Sequence, residues 1–404
     1  MTPSALVLSF HASYGCRHSG ACCTSGWPIP VERPRLVALG GAIRDGRLSV
    51  PGRDAGGAPF LVPAGLPPDV AALTTCDGDG VCAFYRRGSG LCAIHAQLGP
   101  EHLPASCAHF PRVCLIDEDA VYVTLSHYCP TVADLLFEPA GDGRPSAPAA
   151  ATNGSLGSVV VPAPTGLLAG LRVEGLDARG HLPPLLRPGL LTDRRSYRAW
   201  ERFVVGELAE GPGTAEARLG RAAAFTEDVR EWRPSTGPSL EEHIERCIGL
   251  FPAADTTMLP DWASGDVRAL YDEIRASCPA AIAPAAAPEG LERLFEEYVE
   301  PGWPAWAPIA GRYLAAKAFG SWCAYQGHGV RTVLRAAGTA LAVLRVEAAR
   351  QCERAAQPLN ADLLKEAVRQ ADLLIVHLAS REELAARLSR VESIPPHAWP
   401  PALR

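Results

Sequence analysis

Apolar residues recur at helical spacing through the last third of the chain. Val330, Leu334, Ala337, Leu341, Leu344 and Ala348 fall on one face, and Leu364, Ala367, Ala371, Leu374 and Leu378 on another. From about Leu182 onward the pattern reads as helix throughout. Thr192 is the predicted cap of a segment running through Trp200 to Leu208, and Ser239 with Glu242 and Ser380 with Glu383 are predicted capping boxes. The first 138 residues are a patchwork instead. Val31 to Leu39 reads as one helix, with Pro34 in its first turn and Gly40-Gly41 ending it. Arg44 to Pro68 is a Gly/Pro-rich loop. Val113 to Ile116 and Val121 to Leu125 flank Asp117-Glu118-Asp119, which predicts a β-hairpin with a solvated acidic turn. Pro130 to Phe137 begins as a helix with Pro130 at its first position. Glu138 to Pro164 is rich in Pro, Ala, Gly and Ser and has no period.

These patterns predict a mainly α protein. A small, irregular, cysteine-rich metal-binding head with a β-hairpin occupies residues 1–138, a Pro/Ala/Gly-rich linker 139–180, and a C-terminal α-helical domain 181–404. Length and composition agree, since 404 residues at 48% hydrophobic suffice for two or three domains. Lys and Arg number 38 against 44 acids, a net charge of −6, which argues against a general nucleic-acid binder. Only Lys317 and Lys365 are lysines, so the cations are almost all arginine, as a genomic composition bias produces. No apolar run approaches the roughly 18 residues of a membrane helix, and Met1 to Phe10 lacks a basic leader region. The expectation is a cytoplasmic protein with neither membrane nor nucleic-acid partners.

Cysteine changes the picture. Nine of the thirteen cysteines lie in the first 129 residues: Cys16, Cys22, Cys23, Cys76, Cys82, Cys92, Cys107, Cys114 and Cys129. In a reducing compartment such a local excess points to metal rather than disulfides, and the odd total forbids complete pairing within one chain. Adjacent Cys22 and Cys23 are poorly spaced to bond each other but can aim two thiolates from a tight turn. Cys129 precedes the Pro130 helix, whose free amides would lower its pKa. Nine thiols exceed what one or two structural zinc sites require, and no Cys-x2-Cys knuckle occurs. Irregular spacing favours an iron–sulfur cluster, with zinc as the alternative.

The cysteine runs also carry a resemblance. Tyr14 to Cys23 (YGCRHSGACC), Gly80 to Phe84 (GVCAF), Gly90 to Ile94 (GLCAI) and Pro104 to Arg112 (PASCAHFPR) resemble the signature of the YkgJ-type cysteine-cluster family of zinc- or iron-chelating domains. Gly26 to Ile29 (GWPI), Leu125 to Pro130 (LSHYCP) and Leu191 to Arg202 (LTDRRSYRAWER) resemble one branch, the flagellin lysine N-methylases. The resemblance implies a 4Fe-4S cluster and methyl transfer from S-adenosylmethionine to lysine side chains of a protein, flagellin being the branch's substrate. Position by position, it carries over Cys16, Cys22, Cys23, Cys82, Cys92, Cys107 and Cys129 as metal ligands. Ser19 stands where many members have cysteine, and Cys76 and Cys114 lie outside the pattern.

Other residues weigh less. His11, His18, His95, His102, His109 and His127 lie in the same region, with His18 and His109 best placed to replace a thiol. Arg112 is a candidate for contact with cluster or substrate charge, or for a structural salt bridge. Trp200, Trp303, Trp306 and Trp322 read as core more readily than as a groove, and Cys247, Cys278, Cys323 and Cys352 as buried structural thiols. No Gly-x-Gly-x-Gly turn follows a predicted strand, so an ordinary Rossmann-type methyltransferase site is not visible, and no catalytic base can be named. A non-catalytic metal-binding or redox module is the second functional reading.

Overall fold

The computed structural model describes residues 4–51, 57–138, 159–171, 173–251, 266–278 and 283–393. Its first part is built of short pieces: β1 (Ser4–Leu8), β2 (Pro30–Glu32), α1 (Arg33–Arg44), β3 (Phe60–Leu61), β4 (Val70–Thr74), β5 (Tyr85–Arg86) and β6 (Leu91–Cys92). Next come α2 (Ala93–Leu98), α3 (Ala105–His109), β7 (Arg112–Ile116), β8 (Ala120–Leu125) and α4 (Pro130–Leu135). Four further strands follow, β9 (Val160–Pro162), β10 (Gly175–Asp177), β11 (Leu185–Arg187) and β12 (Leu190–Leu191). The remainder is helical: α5 (Arg194–Glu210), α6 (Ala215–Arg230), α7 (Leu240–Leu250), α8 (Val267–Arg275), α9 (Leu291–Leu294), α10 (Ala307–Ala318), α11 (Trp322–Tyr325), α12 (Val330–Ala355), α13 (Ala361–Asp372) and α14 (Arg381–Leu388). At about 53% helix and 13% strand the protein is mainly α with some sheet.

The hairpin expected around residue 118 forms the middle of a five-stranded sheet, in the order β10-β7-β8-β1-β9. β7 and β8 pair antiparallel from Arg112 with Leu125 to Ile116 with Val121, and β1 joins β8 in parallel from Ser4 with Ala120 to Val7 with Val123. Every residue of β8 is buried. Ala120 and Tyr122 join the helical core, whereas Val121, Val123 and Leu125 pack with Val7, Cys114, Cys129, Val132 and Leu167 on the other face. A strand covered on both sides reads as a continuous apolar run, as this one does.

Several boundaries differ from those predicted. Residues 139–158 of the expected linker lie outside the described residues. Residues 159–180 supply β9, antiparallel to β1, and β10, parallel to β7. Three-residue strands are too short to show a period. Gly175 is needed there because a Cβ would stand 2.1 Å from the carbonyl oxygen of Cys114. α1 carries Pro34 in its first turn as expected, yet runs through Gly40-Gly41 to Arg44. Burial of Leu39 and Ala42 outweighs the glycine penalty, and the chain turns at Gly46, φ +70°. Asp193 rather than Thr192 caps α5, accepting from the Ser196 amide at 2.9 Å. The Ser239–Glu242 capping box is complete, and Ser380 caps α14 through the Glu383 amide.

α12 is the axis of the helical part. Its predicted face is buried, but so is most of the rest of its 26 residues, because α6, α8, α10 and α13 surround it. Most of the charged groups this encloses are paired, although Arg345 Nε and Gln351 Nε2 of α12 have no hydrogen-bond partner among the described residues. Arg331 holds Glu227, and Arg230 binds Glu392 at 2.6 Å while Glu392 accepts from the Thr332 amide at 2.9 Å. Arg350 binds Glu347 at 2.5 Å beside Tyr271. Among the described residues no helix is long and apolar enough to cross a membrane.

Sheet and helices are joined at the acidic turn. Asp117, predicted to be solvated, is 1% exposed. It accepts from the Asp119 and Ala120 amides at 2.9 Å and pairs with Arg198 of α5. The Arg198 guanidinium lies 3.4 Å from the centre of the Tyr122 ring and also binds Glu201 at 2.8 Å and the Tyr325 hydroxyl at 2.7 Å. Glu118 meets Arg194 at 2.7 Å and the Gly180 amide at 2.9 Å. Removing one member of so dry a group leaves charge without a partner. Arg198→Met is expected to cost about 3–5 kcal/mol in urea unfolding. Burial alone would raise the Asp117 carboxyl, but Arg198 and the two amides hold it below the usual 3.8. The pair's contribution is therefore full above that value and lost as pH falls through the lower folded pKa. In Arg198→Met this part of the acid dependence is expected to vanish, as unfolding curves at successive pH values would show.

Candidate metal centre

The densest thiols are set by tight turns. Ala21–Cys23 is a single 3-10 turn entered through Gly20, φ +73°, where a Cβ would stand 2.6 Å from the Tyr85 ring. The Cys82 amide donates to the Cys23 carbonyl at 2.8 Å, and Cys92 closes β6 opposite Tyr85. Cys23 and Cys82 share a small core with Leu39, Ala42, Leu48, Phe84, Ala93 and Ile94, against which Cys22 and Cys92 are partly buried. Cys107 rides on α3, which is anchored by the Ala105 amide on Glu32 at 2.9 Å.

Three of these thiols act on one another's acidity. The Cys23 thiol hydrogen-bonds to the sulfurs of Cys22 and Cys92, which raises its own pKa far above normal. Those hydrogen bonds lower Cys22 and bring Cys92 down to about 7. Burial pushes Cys82 up to about 11 and Cys107 well above its ordinary value, and the charges of Cys22, Cys92 and Cys82 add to the effect on Cys107. Cys22, Cys23, Cys82, Cys92 and Cys107 therefore form one electrostatic neighbourhood. Cys16 and Cys129 form a second, bordered by Tyr14, whose phenol is raised by burial and by Cys129, Cys16 and Cys22.

Some expectations fare differently. Cys129 does cap α4, but burial outweighs the Val132 and Thr131 amides and raises its thiol instead of lowering it. Arg112 donates to the carbonyls of Leu167 at 2.6 Å, His109 at 3.3 Å and Ala108 at 3.4 Å, so it clamps backbone and makes no ion pair among the described residues. His18 is exposed with its ring 4.6 Å from that of His95, and His109 accepts from the Glu174 amide at 3.2 Å. Neither histidine completes the thiol group. Cys76 reaches the Trp27 carbonyl at 3.8 Å, and Cys114 lies in the sheet core 3.7 Å from His109. The donor chemistry suits a thiophilic metal. Among the described residues, however, no three His, Cys, Asp or Glu side chains are already arranged about a common point to hold an ion.

A second polar group was not foreseen. Asp372, fully buried at the end of α13, accepts from the His127 amide at 2.6 Å, lies 3.2 Å from His127 Nδ1 and pairs with Lys317. His11 Nε2 stands 3.2 Å from His127 Nε2. Burial would raise the Asp372 carboxyl, but Lys317 and His127 hold it far below the usual range. Nearby, His377 in the wide turn Leu373–Leu378 meets the Ser126 hydroxyl at 2.7 Å. Its ring lies 4.8 Å from that of Trp27 and 5.9 Å from that of Tyr128, whose phenol feels the charge of Cys22. Through Ser126 this aromatic group adjoins an open cleft. Ser126, Lys317, Trp322, Cys323 and Arg381 are among its walls. Trp200 and Trp303 are core as expected, while half-buried Trp322 faces this cleft. The scarcity of lysine was the one sequence signal pointing to Lys317.

No protein-family model, curated protein or solved structure matches this chain. The resemblance therefore rests on its motifs alone.

Burial pushes the His377 imidazole down to about 4 from 6.5. Between those values the unfolded chain binds a proton that the folded one refuses, so stability is full above about 6.5 and declines as pH falls towards 4. The loss is on the order of 3 kcal/mol. In His377→Gln the decline is expected to be shallower in urea titrations at pH 7, 5.5 and 4.5. An unchanged decline would assign it elsewhere.

Proposed function

We propose that the cysteine-rich part holds an iron–sulfur cluster and that the protein is a cluster-dependent protein-lysine N-methyltransferase. The observation carrying the first half is that Cys22, Cys23, Cys82 and Cys92 are gathered on one small core, with Cys107 near enough to feel the charges of Cys22, Cys82 and Cys92. The lowered pKa values of Cys22 and Cys92 favour ligation there, because thiolate ligation and proton release are linked. Five thiols drawn from separate turns exceed the four of a tetrahedral zinc site and suit a cluster held by scattered loops. Cys22, Cys23, Cys82, Cys92 and Cys107 are the proposed ligand pool, with Cys16 and Cys129 adjoining it through Tyr14.

The second half is supported by the motif resemblance. In it a methyl group leaves the sulfonium of S-adenosylmethionine as the carbon–sulfur bond breaks. A carbon–nitrogen bond forms to a lysine of a protein substrate such as flagellin, the amine proton passes to solvent, and S-adenosylhomocysteine departs. A bound cluster would orient the sulfonium donor. The lysine must be neutral to attack, which a dry, apolar surrounding promotes by lowering its pKa.

Anaerobically purified protein is expected to contain about four iron and four sulfide per chain, with a brown chromophore bleached by dithionite. Cys22→Ser and Cys92→Ser are expected to lose it and Cys114→Ser to keep it. S-adenosylmethionine should perturb the spectrum and methylate lysine in a protein acceptor. Stoichiometric zinc without sulfide, from iron-replete cells, would overturn the cluster. An intact cluster with no response to S-adenosylmethionine would leave the non-catalytic module.

A further inference from the structure

We infer that the cleft between the sheet and the helices binds an amphipathic organic carboxylate, with its acid group on Arg381 and its apolar body in the interior. The walls are mostly apolar, formed by Val113, Leu125, Phe319, Ile375, Leu384 and Leu388, and none of the residues lining the cleft is Asp or Glu. Two cations line it, and they differ in kind. Lys317 is already neutralised by Asp372. Arg381 is exposed at the rim, its guanidinium 3.7 Å from the centre of the Trp322 ring, with no hydrogen bond or ion pair among the described residues. Trp322 is held in turn by its Nε1, which donates to the Cys114 carbonyl at 2.9 Å.

A guanidinium over the face of a fixed indole leaves N–H donors for a ligand, and its fork matches a carboxylate in two parallel hydrogen bonds. One available cation suits one anionic group and is too few for a polyphosphate. Mostly apolar walls with a few placed polar groups are those of a small-molecule site. A medium-chain or aromatic acid meets these demands, whereas a cation of the same length meets Arg381 with like charge. This inference is independent of the cluster and of methyl transfer.

The test is displacement of 1-anilinonaphthalene-8-sulfonate from the full-length protein by decanoate and 2-naphthoate, with decyltrimethylammonium as the cationic counterpart. At least one of the two acids is expected to displace the dye saturably, and the cation not to. Arg381→Gln should weaken acid binding by about tenfold or more, the worth of one charged hydrogen-bonding partner. Ala336→Leu, which fills the cleft, should weaken it without touching the charge. Far-UV circular dichroism and melting curves establish that both variants fold. Equal displacement by acid and cation, native-like acid binding by Arg381→Gln, or no displacement by either acid would overturn the inference.

Discussion

Arg198 sits where almost no water reaches it, between the ring of Tyr122 on the sheet and the carboxylates of Asp117 and Glu201. A guanidinium is costly to keep there unless its donors are met. Both terminal nitrogens are met by groups from the two sides of one interface, and only Nε has no partner among the described residues. Asp117 belongs to the β7–β8 turn, Glu201 to the same helix as Arg198, and the Tyr325 hydroxyl to α11. Glu201 also accepts from the Gly320 amide at 3.0 Å, at the turn between α10 and α11. The position of the sheet on the helices, and hence the cleft beside it, follows from satisfying this one cation.

The same solution recurs. Arg331 with Glu227, Arg230 with Glu392 and Lys317 with Asp372 each close a buried charge across elements remote in the chain. Arginine dominates, and its fixed fork allows one side chain to answer a carboxylate and a carbonyl together, as Arg230 does with Glu392 and Leu186. Such groups add little net stability compared with apolar packing, but each accepts only one arrangement of its partners.

What could be read from the sequence was local. The face of α12, the second face as far as Leu374, the Ser239 capping box and the β7–β8 hairpin depend on neighbours a few residues away and stand where predicted. Leu378 falls in the wide turn after α13 and outside the core. The burial of Asp117 depends on Arg198, 81 residues on, and no local pattern distinguishes it from a solvated turn. β9 and β10 are defined by hydrogen bonds to β1 and β7 rather than by their own periodicity. Clustering in sequence brought out the adjacent Cys22 and Cys23, whereas Cys92 reaches them from β6 only through the fold. The cleft, assembled from the neighbourhoods of Ser126, Trp322 and Arg381, left no comparable trace.

β1 pairs with β8 on one side and β9 on the other. The turns carrying Cys16 to Cys107 thus form one long insert between β1 and β7, two strands of one sheet separated by β8. Closing so large a loop carries an entropic cost that rises with the number of freely moving residues between its ends. Whatever orders the insert early makes the meeting of β1 and β8 less costly. During synthesis β1 emerges first yet waits for both partners, so the order in which the thiols and the sheet settle is written into the topology.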